Sequence, residues 1–328
     1  MCGADHPLSA AGRHADRSVC RRHAGAGSSA AEPAAGTRRS APVNLPPPLT
    51  REHILDTRRA LDELARRIVP RPGTTVEEEV VAGRRTLVVR PDTGPVRGTV
   101  LHFFGGGYRA GSPEGAVGFA AQLAHRAGVR VALPSYRLAP EDPFPAAVED
   151  AVAVYDAFSS RDRIVVSGQS AGGGLAAAAL LTTESPQPAG LAVLCGWLDL
   201  TQAADSYHRC AATDPVFSRE AAARSAACYL NGADPDHPAA SPLRASDAQL
   251  AKLPPTFLQV GADEVLVDDS RAFARRLADL GTGVVLRSWP RVTHSWQSAV
   301  PHPLAVAAID ELGGFVRDRM GSAGGVAE

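Results

Sequence analysis

Ile164-Val165-Val166-Ser167-Gly168-Gln169-Ser170-Ala171-Gly172 begins as an apolar strand run, breaks at a serine with glycine two residues to either side, and passes into the small-residue stretch Gly173 to Leu181. A Gly-x-Ser-x-Gly between strand and helix forces the serine into a sharp turn, where side chains at 168 and 172 would collide with neighbouring elements. The turn holds Ser170 Oγ outward. Unpaired N–H groups at the start of the following helix favour negative charge developing there. Alone, the pentapeptide fits an ordinary strand-to-helix loop about as well, because Gly and Ser are common in turns.

Three other segments bear on that choice. Upstream, Val100-Leu101-His102-Phe103-Phe104 reads as a buried strand ending in Gly105-Gly106-Gly107-Tyr108, a loop whose backbone can approach a ligand without Cβ interference. Its N–H groups, with that of Ala171 after the serine, suit an oxyanion hole. A phosphate-binding loop is disfavoured, since the Gly-Lys-Ser/Thr ending and the dinucleotide spacing are both missing. Downstream, Pro254 to Gly261 reads as a strand, followed by Asp263 and Glu264, either of which could orient an imidazole. Val284 to Trp289 is another strand, and His294 lies in the loop beyond it. Serine, acid, histidine is the chain order of the α/β-hydrolase plan, distinct from the chymotrypsin and subtilisin orders.

Further stretches extend the match. Tyr136-Arg137-Leu138-Ala139-Pro140-Glu141 runs through Phe144-Pro145-Ala146-Ala147 to Glu149-Asp150, and Gly111-Ser112 and Ala240-Ser241-Pro242-Leu243 follow the same pattern. With these residues the chain, from about Pro48 to Val316, resembles the bacterial hormone-sensitive-lipase-like carboxylesterases. Its Glu264-Val265-Leu266, Asp268-Asp269 and His294-Ser295-Trp296-Gln297 are similar to the subgroup that includes monoterpene lactone hydrolases. The resemblance implies Ser170 as nucleophile, His294 as base and Gly105, Gly106 and Ala171 as oxyanion donors. Its acid spacing, counted back from Leu266 and Asp268, falls on Glu264, with Asp263 the alternative. Where relatives carry a loop histidine, this chain has Phe104, which bears on loop order and acyl-pocket shape. Gln169 also departs from the usual Asp or Thr. Trp197, Phe217, Tyr229, Tyr108 and Phe104 are candidates for a substrate pocket, with ordinary aromatic packing equally open for each. The implied function is a serine carboxylesterase for short- to medium-chain esters or lactones, needing no cofactor or metal. An acyltransferase or cyclase of secondary metabolism and a catalytically silent small-molecule receptor are the alternatives.

Composition is consistent with an enzyme of this kind. The 328 residues are 45% hydrophobic, enough for one large α/β domain with an added cap, and the formal net charge is −1. No basic stripe with interleaved aromatics points to nucleic acid, and no apolar run is long enough to span a membrane. The basic residues are nearly all Arg, with Lys252 the single lysine. Residues 1–41 are rich in Ala, Gly, Ser and Arg without a helical period and are expected to be a disordered tail. His6, His14, His23, Cys2 and Cys20 match no zinc spacing. Five irregularly spaced cysteines indicate no disulfide framework, and Cys195 reads as a buried small hydrophobe at a strand end. A cytoplasmic location follows from the cysteine usage, and a homodimer is left open.

After the tail, strand and helix alternate. Strands are expected at 79–81, 86–89, 99–104, 130–133, 164–167, 191–195, 256–260 and 283–288, with helices at 49–68, 116–127, 146–158, 172–181, 221–230, 270–280 and 303–319. Continuous apolar strands between helices argue for a mostly parallel sheet covered on both faces, an α/β-hydrolase fold with a helical cap. Segments at about 46–70 and 199–253 are assigned to the cap by the resemblance, within a domain spanning 42–328. Ser218 is a candidate cap for the helix over 221–230, and Asp268 and Asp269 for a helix beginning near Ser270.

Overall fold

The computed structural model describes residues 49–321. The expectations for the tail, and for Cys2, Cys20, His6, His14 and His23 within it, lie outside that range. Eight strands form one sheet: β1 (Thr74–Val81), β2 (Arg84–Pro91), β3 (Thr99–Phe103), β4 (Arg130–Pro134), β5 (Ile164–Gln169), β6 (Gly190–Leu194), β7 (Thr256–Gly261) and β8 (Val284–Trp289). Their order is β1-β2-β4-β3-β5-β6-β7-β8. β2 pairs antiparallel with β1 and β4, and every other pairing is parallel. The fold is that of an α/β-hydrolase.

Every residue of β3, β5, β6 and β7 is buried, which is why these strands read as unbroken apolar runs. The covering helices are α1 (Arg51–Arg66), α2 (Val117–Ala127), α3 (Ala146–Ser159), α4 (Ala171–Thr182), α5 (Ser206–Arg209), α6 (Arg219–Leu230), α7 (Asp247–Leu250), α8 (Val267–Asp279) and α9 (Pro303–Met320). A Cβ on Gly190 of β6 would meet Phe315 of α9, whereas Val193 of the same strand lies against Gly173 of α4. Residues an odd number apart point to opposite faces, so α9 and α4 sandwich the sheet.

Parallel strands end on the same side, and here the loops after β3, β5, β6, β7 and β8 carry Gly105, Ser170, Cys195, Glu264 and His294 respectively. Sheet topology alone therefore gathers the chemically informative residues at one edge. Segment 199–253, with α5, α6 and α7, inserts between β6 and β7 at that edge, and Ser218 caps α6 by accepting from Ala221 N–H at 3.2 Å. Lys252 lies exposed in the turn between α7 and β7. No helix among the described residues is long and apolar enough to cross a membrane.

Three expectations need correction. β1 begins at Thr74 rather than residue 79, because it is the outermost strand and exposes Glu77, Glu78 and Glu79, a charged edge that carries no burial pattern. Arg90 and Arg85 of β2 pair with Glu77 and Glu78 across the hairpin. α8 starts at Val267 rather than near Ser270, with Leu266 at its N-cap, so Asp268 and Asp269 lie in its first turn instead of capping it. Ser206 Oγ accepts the Asp268 N–H at 3.3 Å in the capping role, and Asp268 pairs with Arg209. Asp269 is fully buried beside Asp199, and burial pushes its carboxyl well above the usual range. Third, Cys195 falls just past β6, in a left-handed conformation with φ 48°, and it makes a specific polar contact described below.

Candidate active site

Ser170 ends β5 and opens α4 with φ 56° and ψ −123°, a conformation that L-residues adopt only under constraint. Its N–H donates to Leu194 O at 2.9 Å, and its carbonyl accepts from Trp197 N–H at 3.0 Å. The two flanking glycines are steric necessities. A Cβ at Gly168 would run into the backbone of Gly172, and one at Gly172 into the carbonyls of Phe103 and Phe104. That packing brings the glycine loop after β3 against the elbow, where a Cβ on Gly105 would lie 3.1 Å from Ser170 Cβ.

Ser170 Oγ lies 2.8 Å from His294 Nε2, and His294 Nδ1 lies 2.7 Å from Glu264 Oε2. All three residues are buried, Ser170 retaining 6% exposure and His294 9%. The two acids left open by the sequence are separated by their partners. Glu264 reaches the imidazole, whereas Asp263 Oδ2 accepts the Arg291 N–H at 3.2 Å. Glu264 Oε1 accepts from Gly261 N–H at 2.7 Å and from the Cys195 thiol at 3.0 Å. The N–H groups of Gly105, Gly106 and Ala171 find no hydrogen-bond partner among the described residues. Free donors beside a serine hydroxyl can stabilise an oxyanion.

Phe104 does not leave the glycine loop unanchored. Its ring stacks on Tyr136 with centroids 4.4 Å apart, and its carbonyl accepts from Tyr136 OH at 2.8 Å. The ring belongs to the core and packs beneath Gly111, which makes it a loop anchor more than a pocket wall. Arg137 beside it donates to the buried Asp150 through its backbone N–H at 2.8 Å and its Nε at 3.0 Å, so the stretch from Tyr136 to Asp150 is a brace for this loop. Trp197, Tyr108 and Tyr229 do assemble: Tyr108 stacks on Tyr229 at 3.9 Å, Trp197 meets Tyr108 at 6.1 Å, and a Cβ on Gly174 in the first turn of α4 would meet Tyr108 Oη. Phe217 bridges from Trp197 to His294, lying nearly parallel to the imidazole at 5.5 Å. The Trp197 Nε1 and Tyr229 Oη atoms are buried and unpartnered. A separate cleft of about 610 Å³, lined by residues including Asp199, Arg244 and Arg271, contains none of the triad residues.

The roles of four residues escaped the sequence reading. Gly261 and Cys195 hold Glu264, as above. Asp214 Oδ1 accepts the N–H groups of Val216 and Phe217, both at 3.0 Å, while its Oδ2 accepts Val265 N–H at 3.1 Å, tying the aromatic above His294 to the residue after Glu264. Gln169 Oε1 accepts from Ser298 Oγ at 2.9 Å, linking the elbow to the turn after His294. Only Gly261, a glycine at a strand end, carried a local signal.

A family model for the α/β-hydrolase fold matches residues 100–298. The chain is similar to an acetyl-hydrolase of Streptomyces hygroscopicus, with 36% identity over 83% of this chain and 93% of the relative. It is 30% identical to an esterase of Acinetobacter venetianus over 73% of this chain and 80% of that one. A crystal structure of an esterase from the bacterial hormone-sensitive lipase family superposes with a TM-score of 0.77 and 34% identity, covering 83% of this chain and 94% of the other.

Proposed function

The chain belongs to the bacterial hormone-sensitive-lipase family of α/β-hydrolases and is a carboxylic ester hydrolase, and from that premise we propose that it cleaves short- to medium-chain esters or lactones, small acyl groups foremost, through an acyl-enzyme on Ser170. The observation that carries this reading is the unbroken chain from Ser170 Oγ to His294 at 2.8 Å and on to Glu264 at 2.7 Å. His294 Nε2 takes the serine proton as Oγ attacks the ester carbonyl. Glu264 stabilises the imidazolium and fixes the tautomer, and Gly105, Gly106 and Ala171 hold the oxyanion. His294 then returns the proton to the leaving alcohol, and water, activated by the same imidazole, releases the acid.

Acyl size is argued from crowding. Ser170 is almost covered, Phe217 lies against His294, and Trp197, Tyr108 and Tyr229 join it in one connected aromatic cluster. Similarity to an acetyl-hydrolase supports the same preference. The segments assigned to the cap support their role through contacts: Arg58 of α1 donates to the carbonyls of Arg109 and Ala139 beside the glycine loop, and Phe217 of the insertion covers His294. The test is hydrolysis of p-nitrophenyl esters of increasing acyl length by the wild type and by Ser170→Ala. Activity should be greatest for acetate and butyrate and absent from the folded variant. Hydrolysis that survives Ser170→Ala would remove the nucleophile assignment.

A further inference from the structure

Glutamate at the acid position has one more rotatable bond than aspartate, so its carboxylate needs restraint before one oxygen can face an imidazole steadily. Two donors supply restraint from two different strands. Gly261 N–H, at the end of β7, reaches Oε1 at 2.7 Å, and Cys195 Sγ, just past the end of β6, reaches the same oxygen at 3.0 Å. Oε2 is left for His294 Nδ1.

Cys195 is itself tightly fixed. It is fully buried, its backbone sits at φ 48°, and its N–H donates to Gln259 O at 2.7 Å. The other acceptor in reach, Gln297 Oε1, lies farther away at 3.6 Å, so the single thiol proton is directed to Glu264. Burial and the neighbouring carboxylate push the thiol well above its ordinary pKa, which keeps that proton on sulfur. The ligating atoms of Cys195, Glu264 and His294 lie within 4.8 Å of one another, and two hydrogen bonds converging on one carboxylate account for that closeness.

We infer that Cys195 is a positioning residue for the reaction, a thiol donor that pins Glu264 Oε1 so that Oε2 stays on His294 Nδ1. The inference rests on Ser170, His294 and Glu264 being the catalytic triad. Without the thiol, the carboxylate spends part of its time turned from the imidazole, and stabilisation of the imidazolium falls. Serine at 195 offers an O–H to the same oxygen and should largely replace it.

The experiment compares the wild-type chain with Cys195→Ala and Cys195→Ser on p-nitrophenyl acetate across pH, with active sites counted by a fluorophosphonate label. Cys195→Ala should lower kcat per labelled site about tenfold with KM within about twofold. It should also move the acid limb of the kcat/KM profile to lower pH by about half a unit. Cys195→Ser should restore kcat to within about threefold of wild type. Loss of labelled sites with an unmoved pH profile, an upward shift, or a serine variant no better than alanine would each overturn the inference. A wild-type chain that neither hydrolyses the ester nor takes the label would instead fail the reading on which it rests.

Discussion

Gly261 is small for the sake of a side chain three residues on. A Cβ there would lie 2.7 Å from Glu264 Oε1 and 2.9 Å from its Cγ, although the backbone conformation itself would accept alanine. Gly261→Ala should therefore fold normally but push the carboxylate out of register with His294. A misplacement on this scale costs on the order of 10²-fold in kcat, to be read from initial rates beside an unchanged melting curve. The same neighbourhood marks the limit of what can be read from a sequence at the residue scale. Offsets from Leu266 and Asp268 pointed to Glu264, yet only the folded chain separates it from Asp263, whose partner is the Arg291 backbone. Cys195 could not be foreseen, because its bond to Glu264 joins residues 69 positions apart and a strand-end cysteine looks like any other small hydrophobe.

The elements of the sheet were legible wherever burial is two-sided. β3, β5, β6 and β7 have no exposed residue and announce themselves by apolar content, whereas β1 hides its first five residues behind a charged edge. The loop that carries Phe217 was read only as a source of pocket aromatics, since the carboxylate that holds it acts on Val265, 51 residues away. Asp214 binds this loop to the acid turn through three backbone N–H groups. Asp214→Ala should loosen both together. Losing hydrogen bonds to a charged acceptor at a nearly buried site should cost about 2 kcal/mol of stability, a melting decrease of roughly 5 °C by calorimetry. Freeing the Phe217 ring removes a face against which the imidazolium is favoured, and kcat should fall about threefold. A variant with unchanged melting and unchanged kcat would show that the clamp carries neither function.

For the molecule as a whole, stability in acid should depend on a histidine outside the triad. His102, in the middle of β3, is buried against Phe119 and within 3.1 Å of Ser167 Oγ, and burial depresses its pKa from 6.5 to about 3. The folded state thus holds His102 neutral while the unfolded chain takes up a proton below pH 6.5. Its contribution is fully present above that pH and is lost as the pH falls toward 3, by about 1.4 kcal/mol for each unit through the middle of the window. Urea unfolding at pH 6 and pH 4.5 should show a steeper loss for the wild type than for His102→Asn. Parallel losses would mean that other groups govern acid unfolding.

Lys252 bears on how the enzyme can be handled. As the chain's single lysine, exposed in the turn between α7 and β7, it offers an amine-reactive reagent one side-chain amine. The thirty-three arginines are left untouched by such reagents. Among its side chains, the protein therefore presents a single amine by which it can be tethered to a surface or given a fluorophore, without engineering a tag or spending a cysteine.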